Sequence, residues 1–193
     1  MTTPLLKKLE IHFIKQSTFP VPHLVRFINK TVSPRFDDAK LVFKDDEIDV
    51  VMSSREAHTY IFSVTVYHWN YTEIYTVAQI YNALRQVLSA VEHLTFRTFR
   101  RETSGFWRSY YSNTEQNDIY RVQWRNIIRS FGNVRTLRVE EGLVEQLSRC
   151  LRLDDGELPL ELLPELQELT YSRDNSDAFT SFINARQNAG RPV

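Results

Sequence analysis

The sequence is poor in the residues from which most metal and enzyme sites are built. Its 193 residues contain one cysteine, Cys150, and only five glycines. A single thiol excludes both an internal disulfide and a thiolate zinc cluster. None of the five histidines stands at zinc-finger or His-Glu-x-x-His spacing from another ligand, and no glycine-rich phosphate loop occurs. We therefore predict a non-enzymatic protein that uses no metal and no cofactor.

The chain also lacks an excess charge and a long apolar run. Lys and Arg together number 24, as do Asp and Glu, so the formal net charge is zero. Zero net charge provides no whole-molecule attraction to nucleic acid or to an anionic membrane. No stretch approaches the roughly 20 apolar residues of a membrane span, and the first residues carry no signal-peptide run. With the single cysteine, these absences predict a cytoplasmic or nuclear protein without a membrane partner.

A short apolar pattern recurs instead: an apolar residue, two others, a second apolar residue, one other and a third apolar residue. The copies begin at residues 6, 36, 61, 91, 134 and 166, and each interval has room for one strand and one helix. About six strand–helix units are therefore predicted, stacked in a single domain over residues 1–193. The copies are Leu6/Leu9/Ile11, Phe36/Ala39/Leu41, Ile61/Val64/Val66, Val91/Leu94/Phe96, Val134/Leu137/Val139 and Leu166/Leu169/Tyr171.

Helical periodicity fills most of the intervals between these copies. Apolar residues three and four apart predict helices over 23–32, 72–91, 118–131, 142–153 and 176–188. One interval differs, because residues 42–54 alternate and are rich in β-branched side chains around a turn at 44–46. The predicted fold is thus α/β, an irregular solenoid with a mostly parallel sheet and an antiparallel insertion near residues 39–68.

The last third of the chain resembles a known family. Residues 124–139 (WRNIIRSFGNVRTLRV), 162–171 (LLPELQELTY) and 182–193 (FINARQNAGRPV) are similar to the late repeats of the F-box and leucine-rich-repeat-like proteins of mushroom-forming fungi (basidiomycetes). The resemblance implies a short, degenerate leucine-rich-repeat solenoid that binds proteins. Family members often carry an F-box that docks on Skp1 in an SCF-type ubiquitin ligase. This sequence opens directly on a repeat strand, so Skp1 is expected as a partner only if an F-box lies outside this segment.

Two surfaces are candidates for binding a protein partner. If the recurring apolar positions point inward, the residues between them form a polar, mixed-charge sheet face. The second candidate is the segment 97–111, where aromatic and arginine residues are mixed as they are in interface hot spots. The predicted partner-binding residues are His93, Thr95, Arg97, Thr136, Arg138 and Glu140 on the sheet, with Arg100, Arg101, Trp107, Arg108 and Tyr110 in the loop.

Other interpretations stay open beside this interaction module. The sheet face is equally compatible with an ordinary solvated surface, and the loop aromatics with a cover over the core. The family resemblance alone supports a second function, the substrate-receptor part of a ubiquitin ligase adaptor. The arginines and aromatics of Arg97–Arg108 suit stacking on single-stranded nucleic acid as a third, although the neutral net charge argues against it.

Overall fold

The strands form one mixed sheet. A computed structural model describes residues 8–13, 36–44, 47–54, 61–67, 81–82, 84–98, 114–153, 158, 160–171 and 177–193. The seven strands lie in the order β1-β4-β3-β2-β5-β6-β7, and all pairs are parallel except β2–β3 and β3–β4. The strands are β1 (Lys8–Phe13), β2 (Asp38–Phe43), β3 (Glu47–Ser53), β4 (Ile61–Tyr67), β5 (His93–Thr98), β6 (Thr136–Val139) and β7 (Glu168–Tyr171).

Helices occupy the intervals between the later strands and cover one side of the sheet. The predicted helix over 118–131 is present as a longer element, and that over 142–153 begins with a 3-10 turn at Glu141–Leu143. The predicted helix over 23–32 lies outside the described residues, as does half of that over 72–91. No helix in the described part of the chain is long and apolar enough to cross a membrane. The helices are α1 (Arg85–Leu88), α2 (Thr114–Arg129), α3 (Val144–Leu151) and α4 (Thr180–Asn188).

The recurring apolar positions meet their counterparts in neighbouring units. The four parallel strands β2, β5, β6 and β7 share one register, so equivalent residues of successive repeats stand side by side. The first apolar position of each of these repeats precedes its strand, and all four such residues are buried. One row of the core is Ala39, Leu94, Leu137 and Leu169, and the next is Leu41, Phe96, Val139 and Tyr171.

A backbone contact repeats with the same period. The carbonyl of the residue just before β2, and those of the equivalent residues before β5 and β6, each accept two amide hydrogens from the start of the next unit. Each bifurcated contact fixes where the next strand begins, which explains the common register. The acceptors and their donors are Asp37 with Glu92 and His93 at 2.9 Å, Glu92 with Arg135 and Thr136 at 2.8 and 3.0 Å, and Arg135 with Gln167 and Glu168 at 2.8 and 3.0 Å.

The antiparallel insertion lies where the alternation predicts it. β2 and β3 form a hairpin closed by the Lys44 amide, which donates to the Glu47 carbonyl at 2.9 Å. β3 then pairs with β4, which places Ile61 inside a strand rather than ahead of one. Phe62, the next residue, is buried together with Val64. The prediction that Ile61 occupies the same place as the first residue of the other repeats was therefore wrong.

Candidate protein-binding surface

The side of the sheet opposite the helices is polar. Along β2, β5 and β6 every second residue is buried in the core, and the residues between are half-buried or exposed. The shared register aligns these outer residues in rows that cross the strands. The remaining outer residue of β2 is the half-buried Val42. We call the polar members of this set, together with Glu168 and Thr170 on β7, the polar sheet face: Asp38, Lys40, His93, Thr95, Arg97, Thr136, Arg138, Glu140, Glu168 and Thr170.

One hydrogen bond and one ion pair join members of the polar sheet face. The Nδ1 atom of His93 lies 2.6 Å from Oγ1 of Thr136 on the neighbouring strand. At the other end of β5, Nε of Arg97 lies 3.1 Å from Oε2 of Glu140, with both side chains partly exposed. The positive charge of Arg97 is therefore already compensated within the chain.

The hairpin carries a third neutralised group beside this face. Lys44 forms ion pairs with Glu47 and with Asp49, the latter at 2.7 Å. Hydrogen bonding to Asp49, and then to Glu47, raises the pKa of Lys44 to about 12. The hydroxyl of Thr65 donates to Oδ1 of Asp49 at 2.7 Å. Residue spacing alone did not reveal this cluster, because it depends on the antiparallel pairing of Asp49 with Thr65.

Thr65 departs from the sequence pattern. It lies between the recurring apolar positions Val64 and Val66, so the pattern predicts that it faces outward with the polar residues. That prediction was wrong, because the residue retains only 7% of its accessible surface. The hydrogen bond to Asp49 satisfies the buried hydroxyl, which would otherwise be costly to desolvate.

Two cations in the central row differ from their neighbours. In the part of the chain that the structure describes, neither Lys40 nor Arg138 has an ion-pair or hydrogen-bond partner. They flank Thr95 in one register row, because Lys40 pairs with Thr95 and Thr95 with Arg138. Two strand spacings separate them, which is ~10 Å. The pair presents uncompensated positive charge at the middle of a face on which Arg97 is paired with Glu140.

The structure brings together six of the predicted partner-binding residues. His93, Thr95, Arg97, Thr136 and Arg138 all lie on the polar sheet face, with Glu140 immediately after β6. The remaining predicted residues lie outside the described residues, so their role stays a prediction. These are Arg100, Arg101, Trp107, Arg108 and Tyr110.

Other polar groups on the helical side serve packing. Cys150 is buried, as its apolar helix stripe predicts, and burial raises the pKa of its thiol to about 12. Arg125 is also buried and donates to the carbonyls of Cys150 at 2.8 Å and Arg152 at 3.0 Å. Cys150 lies in the last turn of α3 and Arg152 directly follows it, so their carbonyls have no amide donor within the helix itself. No cluster of potential metal ligands is found among the residues described.

A second buried arginine holds the segment that leads into β7. Arg186 is fully buried and donates to the carbonyls of Leu163 at 2.9 Å, Pro164 at 3.3 Å and Leu166 at 2.8 Å. Leu163 adopts a left-handed backbone with φ of 52°. Burial lowers the pKa of Arg186 from its ordinary value. Sequence reasoning missed this residue, although its place four residues after the buried Phe182 on α4 is a signal of burial.

Comparison with protein-family models, with curated proteins and with solved structures finds no match to this chain.

Proposed function

We propose that the chain is a non-enzymatic protein-interaction module, a short leucine-rich-repeat-like solenoid that binds a protein partner through its polar sheet face. The observation that carries the proposal is that Lys40 and Arg138, at the middle of that face, have no ion-pair or hydrogen-bond partner among the described residues. The parallel strands with common register and a repeated backbone contact support the solenoid part.

The charges define the chemistry of the partner. Asp38 and Glu168 lie one row away from Lys40 and Arg138, so the cations are not part of a large basic field. A partner with two carboxylates ~10 Å apart would match both cations at once. An extended acidic segment lying across β2, β5 and β6 has this geometry. Complementary charge of this kind contributes mainly to specificity and to the rate of association.

A double charge reversal tests the proposal. Lys40→Glu with Arg138→Glu places two negative charges at the proposed contact while leaving the core rows untouched. The matched control is Arg85→Glu with Arg152→Glu, which makes the same change in net charge at two exposed positions at or next to helices on the other side. Affinity purification from nuclease-treated native lysate, with quantitative mass spectrometry, compares both variants with the wild type.

We expect a stoichiometric protein partner with the wild type and the control, and its loss from the Lys40/Arg138 variant. Retention of the partner by that variant would show that the polar sheet face is not the binding surface. If material is retained only when nuclease is omitted, the ligand is nucleic acid and the proposal fails. Skp1 among the specific partners would support the ubiquitin ligase interpretation that the family resemblance implies.

The aromatic segment belongs to the same proposal as a second contact. Its sequence combines Trp107 and Tyr110 with Arg100, Arg101 and Arg108, and it follows β5 directly. Trp107→Ala is expected to weaken binding of the same partner by about tenfold or more, which is the loss typical of an aromatic hot spot. Unchanged binding would restrict the contact to the sheet.

A further inference from the structure

The backbone contact that starts each new strand recurs up to the last strand of the sheet. Carbonyls before β2, β5 and β6 each accept two amide hydrogens from the next unit. Gln167 occupies the equivalent position before β7. In a parallel pair, successive residues of a strand direct their backbone N–H and C=O groups to opposite sides. The Gln167 carbonyl and the backbone groups of Leu169 and Tyr171 therefore face away from β6. Among the described residues, no strand pairs with this side of β7.

The core is also incomplete at the same edge. Leu137 and Val139 on β6 are each only 1% exposed. Their row neighbours on β7, Leu169 and Tyr171, are only half-buried. The ring of Tyr171 packs edge-on against that of the core residue Phe179, with 4.9 Å between the ring centroids. Each inner row therefore ends with an apolar side chain that one more strand would cover.

The opposite edge strand of the sheet, β1, has the direction and the register to continue the sheet beyond β7. β1 runs parallel to β7, since only β3 is reversed, and the described residues pair with it on one side alone, through β4. Following the registers across the sheet places Lys8 in the same row as Glu168, Leu9 in the row of Leu169 and Ile11 in the row of Tyr171. A second β1 beside β7 in that register would place Lys8 at the position next to Glu168, and Leu9 and Ile11 at the positions next to Leu169 and Tyr171.

We propose that two copies of this chain associate head to tail, with β7 of one copy pairing in parallel with β1 of the next. The contact joins sheet edges through backbone pairing, and of the polar sheet face it involves Glu168 but neither Lys40 nor Arg138. It is heterologous, which means that each added copy presents a new free edge. The zero net charge imposes no long-range repulsion between copies. β7 is only four residues long, and a short edge strand limits the strength of such pairing.

Charge exchange at the proposed contact provides the test. Sedimentation velocity at low salt, over a wide concentration range, is applied to three samples of the full chain: the wild type, Glu168→Lys and Lys8→Glu. The same measurement is then made on an equimolar mixture of the two variants. The mass of the wild type is expected to rise with concentration past that of a dimer. Each variant alone sets like charges side by side, so its self-association should weaken by roughly tenfold.

The mixture separates this arrangement from the alternatives. Each variant's edge is complementary to the opposite edge of the other variant, so mixing is expected to restore association to the wild-type level. A wild type that stays monomeric would overturn the proposal. So would association that stops at a dimer, which is the mark of an isologous β7–β7 contact, or variants that fail to complement each other. Circular dichroism of each variant confirms that loss of association is not loss of fold.

Discussion

Arg186 provides the sharpest test of the packing at the end of the sheet. Replacing it by methionine retains a long side chain but removes the donors to the carbonyls of Leu163, Pro164 and Leu166. A hydrogen bond to a charged group contributes ~1.5–3 kcal/mol, and a buried carbonyl left without a donor costs ~1–3 kcal/mol. Removing a buried charge offsets part of the loss, and the individual contributions are not additive. We expect a net loss of about 4 kcal/mol in the free energy of unfolding.

Urea unfolding followed by tryptophan fluorescence measures this loss, because Trp124 lies in the core. With a slope of about 3 kcal/mol per molar urea, the midpoint should fall by roughly 1.3 M. Arg186→Lys keeps the positive charge but not the planar array of donors. Its urea midpoint should therefore lie between those of the wild type and Arg186→Met. The matched control is Arg149→Met on α3. Its ion pair with Glu145 joins side chains that are 51% and 64% exposed, so we expect a change within ~0.5 kcal/mol.

An Arg186→Met midpoint within about 0.3 M of the wild type would refute this reasoning. It would mean that water or a backbone rearrangement satisfies the three carbonyls once the guanidinium is gone. A similar loss in the Arg149→Met control would point instead to a general effect of removing positive charge.

Three further predictions follow from contacts elsewhere in the chain. A Cβ added at Gly142 would meet the Thr98 hydroxyl oxygen at 2.5 Å, so Gly142→Ala should destabilise by ~1–3 kcal/mol, and adding Thr98→Ala should recover part of it in thermal unfolding. The pKa of Lys44 rises from 10.5 to about 12 on folding. The stability advantage of the wild type over Lys44→Met should therefore be complete below pH 10.5 and decline as the pH rises through about 12. A stability difference that grows with pH would contradict the assignment of these ion pairs. The buried Cys150 thiol should react with Ellman's reagent at neutral pH only as fast as the protein unfolds, and rapid labelling of the native protein would show that it is accessible.

The strands of the later repeats were predictable because they depend on a local pattern. An apolar residue ahead of the strand and two alternating ones within it suffice to define which side is buried. This pattern placed Leu94 and Phe96 correctly, as well as Leu137 and Val139. It failed at Ile61, where the apolar spacing is matched by chance and the pairing with β3 decides the register. Local pattern contains no information about which strand is the neighbour.

Helix boundaries were predictable only approximately. The pattern starts the helix that corresponds to α3 at Gly142, whereas a 3-10 turn occupies Glu141–Leu143 and α3 begins at Val144. Gly142 lies so close to Thr98 on β5 that only a residue without a side chain fits there. This constraint belongs to the contact between two units. No periodicity within one unit can express it.

The arginines show why charge composition alone did not identify the binding surface. Arg125 and Arg186 are buried and donate hydrogen bonds to backbone carbonyls, so they belong to the packing of the helices. Arg97 forms an ion pair with Glu140 at 3.1 Å, and Arg135 forms one with Glu92 at 3.7 Å. All four have the same side chain and the same formal charge as Arg138, but none of them is available to a partner without first breaking an internal contact. A reversal at Arg97 would therefore place a second carboxylate beside that of Glu140 and disturb the face itself. The informative probes are the cations that the fold leaves uncompensated, and pairing Arg138 with Lys40 tests recognition while the internal network of the face stays intact.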